Sequence, residues 1–325
     1  MITVLAGGVG AARLLAGLVR VVPPDEITAI VNIGDDTVMH GLSISPDIDT
    51  VVYTVAAAID PGRGWGLAGE TWHAMEALRR FEAVRPEGST AGGTWFGLGD
   101  KDLATHLYRT HRLGEGATLS EVTAEIARAW GLALRVLPAA DTPVATLVTV
   151  VDPDGIEREV SFQEYFVGRH HSVPVTSVRF DGVDRVAPTA AVLDAIRDAE
   201  RIIVAPSNPL VSIGPLLAFP ALASALRERR ADTIAVSPIV AGSALKGPAD
   251  RMLTELGHDA SVEGVAALYR TFATTLVVDE ADRDRADAVR AAGMACAVTD
   301  AIMSDPDRAA ALCRTLIALP TGGPT

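Results

Sequence analysis

The chain has 325 residues, 49% hydrophobic and only 5% aromatic, which is enough for one large domain or two modest ones with a proper core. A net charge of −13 and an isoelectric point near 5.0 argue against a nucleic-acid partner, whose phosphates demand a basic surface. Cys296 and Cys313 have no metal-type spacing and suit a reducing compartment; no membrane-length apolar run or signal-peptide pattern is visible, so no membrane association and a cytoplasmic location are expected.

The first elements carry the strongest signal. Ile2–Leu5 reads as a buried strand that runs into Gly7, Gly8 and Gly10. A helix pattern follows, with Ala11, Leu14, Leu15 and Leu18 on one face. Free N–H groups at such a helix start form an anion site, and glycines let a phosphate approach the backbone. Arg13, placed in the first helical turn, adds a fork of donors. Gly8-x-Gly10-x-x-Arg13 lacks the third small residue of a dinucleotide fingerprint and the Lys-Ser/Thr of a P-loop. The alternative is a tight turn that packs a strand on a helix.

The second strand, Ile27–Asn32, ends at Gly34-Asp35-Asp36, and a helix is predicted from near Asp47 through Val55 with Pro46 at its start. Asp35, Asp36, Asp47 and Asp49 beside a phosphate site point to a hard divalent cation, typically magnesium; a turn and a helix cap are the alternatives. Glu70–Phe81 and Lys101–His111 read as helices, and Asp102 and His106 share a face at i,i+4, at its blandest a surface pair. Trp65, Trp72 and Trp95 are either core or a stacking surface for a planar ring. Thr118-Leu-Ser-Glu121 is a capping box that opens a helix to Trp130.

Thr146–Val151 and Glu157–Phe162 flank Asp152-Pro-Asp-Gly155 as a hairpin, followed by the loop pair His170-His171 and a strand over Val173–Phe180. The α/β rhythm returns with strands at Arg201–Ala205, Thr233–Val236, Thr275–Val278 and Ala295–Val298. After the first of these, Ser207, Asn208 and Ser212 are placed to bind phosphate, read a base edge or cap a helix. The acidic stretch Asp279–Asp287, interleaved with Arg283 and Arg285, reads as a solvated helix face, and 320–325 as a frayed tail. The pattern predicts an α/β fold: a doubly wound, mostly parallel, Rossmann-like sheet over 1–319 with an inserted α+β subdomain at 101–180. Ligands in such sheets sit beyond the carboxyl ends of the strands.

Read together, these motifs resemble the 2-phospho-L-lactate transferase family (CofD, also FbiA) of coenzyme factor 420 biosynthesis. The matching stretches are Gly7-Gly-Val-Gly10, Asn32-Ile-Gly-Asp-Asp36, Ser45-Pro-Asp-Ile-Asp-Thr50, Leu98-Gly-Asp-Lys-Asp-Leu-Ala-Thr-His106, Pro206-Ser-Asn-Pro-Leu-Val-Ser-Ile-Gly-Pro215, Val236-Ser-Pro-Ile-Val240 and Val278-Asp-Glu-Ala-Asp282. They span nearly the whole chain in family order. The resemblance implies a magnesium-using enzyme, usually a homodimer. Its acceptor would be Fo, a deazaflavin with a ribityl chain. Its donor would be a guanosine diphospho compound bearing lactate or enolpyruvate, and GMP would leave.

By position, Asp49 matches the aspartate associated with Fo, and the glycine turn with Ser207-Asn208 matches the nucleotide side. The candidates are therefore Asp49 for catalysis; Gly7, Gly8, Gly10, Arg13, Ser207 and Asn208 for the nucleotide; Asp49, Trp65, Lys101 and His106 for the acceptor; and Asp35, Asp36 and Asp49 for magnesium. Gly97 stands where many relatives carry a lysine, with Lys101 or Arg63 as candidate replacements. Two rivals are a sugar-nucleotide-binding regulatory protein of related fold and a nicotinamide-dependent oxidoreductase, which the missing third glycine disfavours.

Overall fold

A computed structural model describes residues 1–89, 91 and 93–320. Ile2–Ala6 (β1) is buried at every position, as a strand covered on both faces of a parallel sheet must be. It enters α1 (Gly8–Leu18), and Ile27–Val31 (β2) follows, again wholly buried. A short hairpin, β3 (Thr37–Met39) and β4 (Leu42–Ile44), leads to α2 (Pro46–Val55). Next come α3 (His73–Glu82), α4 (Asp102–Gly114), α5 (Leu119–Ala129) and β5 (Arg135–Pro138). An accessory sheet is built from β6 (Ala145–Val151), β7 (Glu157–Ser161) and β8 (Val175–Asp181). Then follow α6 (Ala190–Arg197), β9 (Arg201–Val204), a π-helical turn Pro209–Ile213, α7 (Gly214–Leu217) and α8 (Pro220–Glu228). After β10 (Thr233–Val236), a small hairpin of β11 (Ile239–Val240) and β12 (Ser243–Ala244) precedes α9 (Ala249–Glu255) and α10 (Val262–Tyr269). The chain closes with β13 (Thr275–Asp279), α11 (Ala286–Ala291), β14 (Ala295–Thr299) and α12 (Pro306–Ala318).

The main sheet has seven strands in the order β14-β13-β10-β9-β1-β2-β5, every neighbouring pair parallel. From β1 the chain winds one way to β2 and β5; from β9 it winds the other way to β10, β13 and β14. The order therefore reverses between β1 and β9, where open sheets leave a crevice at their carboxyl ends. Helix α1 packs against both α2 and α12 and buries Ala11, Leu14, Leu15 and Leu18.

The expected insertion at 101–180 is divided by the sheet. Helix α5 buries Leu119, Val122 and Ile126 in the main core, and β5 is an edge strand of the main sheet. Only residues 145–181 make the accessory sheet, whose own core holds Val148, Val150, Val160, Phe162 and Tyr165. Strand β5 is four residues ending in proline, a composition tolerated at an edge and nearly silent in sequence. The capping box is present: Glu121 N–H donates to Thr118 Oγ1 at 3.2 Å, and Thr118 N–H to Glu121 Oε2 at 2.8 Å.

The acidic stretch after β13 departs from a solvated face. It opens as a 3₁₀ helix, Glu280–Arg285, with Asp279 and Asp282 buried. Asp279 accepts from the N–H groups of Ala281 and Ala301, and Asp282 accepts from Ala241 N–H at 3.0 and 3.1 Å. Only its remaining acids make exposed pairs, such as Glu280–Arg283 and Asp287–Arg290. Residues 321–325 of the expected frayed tail lie outside the described residues.

Candidate active site

The glycine turn lies at the switch point, and close packing accounts for two of its glycines. A Cβ on Gly10 would sit 2.3 Å from the Pro206 carbonyl oxygen, and one on Gly7 would sit 2.7 Å from Ser212 Cβ. The Ser207 hydroxyl donates to the Gly7 carbonyl, so the strand ends of β1 and β9 are laced together. Gly8 takes φ +67°, a left-handed conformation natural only to glycine. The Asp47 carboxylate lies against this turn, its Oδ1 3.5 Å from where a Gly8 Cβ would be, and the Gly8 N–H favours its charged form. An acidic side chain of the protein thus faces the N–H groups that the sequence suggested for a phosphate. Arg13 is the sixth residue of α1, beyond the first turn, and its guanidinium makes one long contact, 3.5 Å to Met303 O. Asn208 caps the π-helical turn by accepting from Leu210 N–H at 2.9 Å, while its amide nitrogen faces only Met252 Sδ at 3.8 Å.

On the other side of β1, the end of β2 and the start of α2 gather four carboxylates. Asn32 organises them: its Nδ2 donates to Asp47 Oδ2 at 2.9 Å, and its Oδ1 accepts from Gly34 N–H at 2.8 Å. Ser45 precedes α2 but makes no side-chain cap; its hydroxyl donates to Asp36 Oδ2 at 2.7 Å. Asp35 Oδ1 and Asp36 Oδ1 are buried with no hydrogen-bond partner. Burial pushes the carboxyl of Asp35 well above its ordinary range, and the neighbouring charges of Asp47 and Asp36 push the same way. Burial likewise raises Asp36, against the Ser45 hydrogen bond and the Arg109 charge, and lifts Asp47 to about 6.

Asp49, one turn into α2, is paired. Arg109 is 0% exposed, and its guanidinium grips both Asp49 oxygens, with Nη1 3.1 Å from Oδ2 and Nη2 on Oδ1. His106, 1% exposed, sits beside this pair, with Nδ1 3.7 Å from Asp49 Oδ2 and Nε2 3.4 Å from Asp102 Oδ2. The Asp102–His106 pair is therefore interior, not a surface pair. The Tyr53 hydroxyl donates to Asp102 Oδ1 at 2.7 Å, and burial and the two nearby carboxylates push its pKa up. Burial opposes a charged Asp102, yet the His106 hydrogen bond and charge hold it below the ordinary carboxylate range. Arg109 was missed in the sequence, although Asp102, His106 and Arg109 follow the i, i+4, i+7 spacing of one helix face.

The Leu98–His106 motif has a local explanation in two crossed caps. Asp100, just before α4, accepts from His73 and Ala74 N–H at the start of α3. Glu70, before α3, accepts from Lys101 and Asp102 N–H at the start of α4. Gly99 makes room for that Glu70 carboxylate, since a Cβ there would lie 2.2 Å from it. Lys101 Nζ donates to Ala68 O at 2.9 Å, and Arg63 donates to Leu67 O at 3.0 Å while pairing with Asp60. Both proposed replacements for a lysine at Gly97 thus staple their own loop. Trp65 is 45% exposed and meets Trp72 edge-on at 6.0 Å, with Arg63 over both rings. Trp95 is also exposed and packs edge-on with Phe96, so neither Trp65 nor Trp95 belongs to the core.

Comparison with known proteins bears on this arrangement. The family model described as 2-phospho-L-lactate transferase CofD matches residues 2–315. The chain is 41% identical over 323 residues to a phosphoenolpyruvate transferase of Mycolicibacterium smegmatis, covering 96% of each chain. It is 42% identical over 320 residues to a phosphoenolpyruvate transferase of Kitasatospora aureofaciens, covering 98% of this chain and 97% of that one. A crystal structure of a UPF0052 family member from Bacillus halodurans shares the fold with a TM-score of 0.58, at 16% identity, over 97% of this chain and 98% of the other.

Proposed function

This chain belongs to the 2-phospho-L-lactate transferase CofD family and is a phosphoenolpyruvate/phospholactate transferase by that membership, and on that premise we propose that it transfers a phosphoenolpyruvyl group from a guanosine diphospho donor to Fo. The terminal ribityl hydroxyl would form a bond to the phosphorus bearing the three-carbon acid. The bond from that phosphorus to the GMP phosphate would break, and the hydroxyl proton would leave. The names of the curated relatives favour enolpyruvate over lactate. The same membership speaks against a regulatory sugar-nucleotide binder and a nicotinamide-dependent oxidoreductase.

The observation that carries the reading is the carboxylate pocket. Of the four carboxylates Asp35, Asp36, Asp47 and Asp49, Arg109 pairs with Asp49 and its charge reaches Asp36, while the buried Oδ1 atoms of Asp35 and Asp36 lack partners. Oxygen donors of this kind fit magnesium, with Asp35 and Asp36 as the residues that would hold it. Asp49, Asp102 and His106 also lie close enough to share an ion, but Arg109 already places a positive charge against Asp49. When bound, the ion would neutralise diphosphate charge, the main demand of phosphoryl transfer. Asp49, fixed by Arg109 and flanked by His106, would orient the acceptor hydroxyl and take part in moving its proton. Trp65 would offer a face to the deazaflavin, with Lys101 at the same loop. Gly8, Arg13 and Asn208 would line the donor's side at the β1/β9 crevice, held in shape by Gly7, Gly10 and Ser207.

No single helix among the described residues is long and apolar enough to cross a membrane. A cytoplasmic homodimer is part of the proposal, checked by sedimentation. The deciding assay is mass spectrometry of the product made from Fo with each donor. Enolpyruvyl transfer with release of GMP is expected; no product with either donor from folded, magnesium-supplied protein overturns the reading.

A further inference from the structure

Two helix faces meet at Asp49. Helix α2 supplies Asp49 and Tyr53 at i and i+4, and α4 supplies Asp102, His106 and Arg109 at i, i+4 and i+7. Their side chains form one interior chain that returns to the helix where it began. The Tyr53 hydroxyl donates to Asp102 Oδ1 at 2.7 Å and lies 2.8 Å from Thr105 Oγ1. Asp102 Oδ2 is 3.4 Å from His106 Nε2. His106 Nδ1 is 3.3 Å from Arg109 Nη1, and Arg109 closes on both Asp49 oxygens. The Asp102 end is anchored as well, since Glu70 Oε1 accepts from Asp102 N–H at 2.9 Å.

The contact between His106 and Arg109 fixes where the imidazole proton lies. A guanidinium only donates. Arg109 Nη1 faces Asp49 Oδ2 at 3.1 Å, His106 Nδ1 at 3.3 Å and Ser43 O at 3.4 Å. The two oxygens are acceptors by nature, and the nitrogen accepts only if it carries no proton. A proton on Nδ1 would meet an Arg109 N–H head-on, and Asp49 Oδ2 is farther from Nδ1, at 3.7 Å. The ring proton therefore sits on Nε2, which is buried without a closer partner and faces Asp102. The His106 side chain is itself buried and has almost no surface to offer an acceptor molecule.

We infer that His106 is a positioning residue that acts through Arg109: its Nδ1 lone pair takes a guanidinium hydrogen, which sets the plane of the fork and with it the angle of the Asp49 carboxylate. Asp102, held by Tyr53, keeps the imidazole turned that way. The inference rests on the transferase reading only for what Asp49 does, namely orienting the acceptor hydroxyl. It moves His106 from contact with the acceptor, where the family resemblance put it, to the support of Asp49.

The test reads the proton directly. Two-bond proton–nitrogen correlation NMR on isotopically labelled, substrate-free protein separates a protonated ring nitrogen from one with a free lone pair, and the His106 signals are identified by their loss in His106→Asn. Nε2 should carry the proton and Nδ1 should not. A proton on Nδ1, alone or together with one on Nε2, overturns the inference. Turnover supplies the second arm. His106→Leu, which has no acceptor, should lose kcat about ten- to a hundredfold while KM for Fo changes by less than about twofold. His106→Asn, whose side-chain oxygen can accept from Arg109 near the place of Nδ1, should retain several-fold more kcat than His106→Leu. Equal kcat in the two variants, or a KM for Fo that rises while kcat holds, overturns the inference. If the unaltered protein makes no product, the transferase reading falls, and the position of the ring proton alone decides the inference.

Discussion

The crevice between β1 and β9 and the pocket at the end of β2 lie side by side on one rim, and they treat their polar groups in opposite ways. In the crevice the protein satisfies itself: Ser207 bonds Gly7 O, Gly10 fits under the Pro206 carbonyl, and Asp47 faces the glycine turn. In the pocket it does not, and Asp35 Oδ1 and Asp36 Oδ1 are buried without partners. Buried polar groups are normally hydrogen-bonded, so an unpaired pair of carboxylate oxygens marks where something else belongs. The glycine motif, the louder signal in sequence, owes much of its form to packing. The quieter acidic set carries the stronger structural mark of a ligand.

The largest effect expected from breaking this contrast is at Asp49. Asp49→Ala leaves Arg109 buried and unpaired and should cost about 3–5 kcal/mol of stability in urea unfolding. Transfer should fall at least about a hundredfold. The double variant Asp49→Ala/Arg109→Met should recover stability and no activity. A single variant as stable as the original would mean that the ion pair does not hold the pocket together.

Asp47 links the two regions and should be visible in the pH dependence of stability. Its carboxyl rises from an ordinary 3.8 to about 6 in the folded state. The native protein therefore holds the extra proton across that window, and stability falls as pH rises through it, by up to about 3 kcal/mol in metal-free protein. Asp47→Asn should flatten the slope between pH 4 and 6 in chelator, on the order of that window. An unchanged slope would remove Asp47 as its source.

Magnesium should act on the pocket alone. At roughly a hundred times its dissociation constant it should add about 2.7 kcal/mol of stability, and Asp36→Asn should abolish most of that gain without unfolding the protein. Asp36→Asn with the full magnesium response would place the ion elsewhere. On the crevice side, Gly10→Ala should lose about 1–3 kcal/mol through overpacking against Pro206. A stable Gly10→Ala protein that no longer binds nucleotide would instead make the glycine a phosphate contact. Far from both, Thr118→Ala should cost about 1 kcal/mol through the lost cap and leave transfer unchanged; a large loss of activity there would show that α5 is coupled to the rim.

Local rules made most of the framework legible. The mostly apolar runs of β1, β2, β9 and β10 announced a parallel sheet, Pro46 with its acidic first turn placed α2, and Thr118 with Glu121 placed α5. The acidic set was legible as residue types, Asp35 and Asp36 after β2 and Asp47 and Asp49 in the first turn of α2, but not in its arrangement. What failed were statements that depend on distant partners. Strand β5 is too short and too close to proline to declare itself, yet β2 recruits it to the sheet.

The sequence by itself determined the α/β architecture, the order of most of its elements and the family, because those follow from periodicity, turn chemistry and motifs carried within a few residues. Only the tertiary structure decided which charges are spent and which are left over. Asp49 meets Arg109 across 60 residues, Asp282 holds Ala241 across 41, and Asp100 and Glu70 exchange helix caps across the loop between them. Such pairings depend on where the packed helices and strands bring side chains together, and burial then makes an unpaired charge expensive enough to be informative.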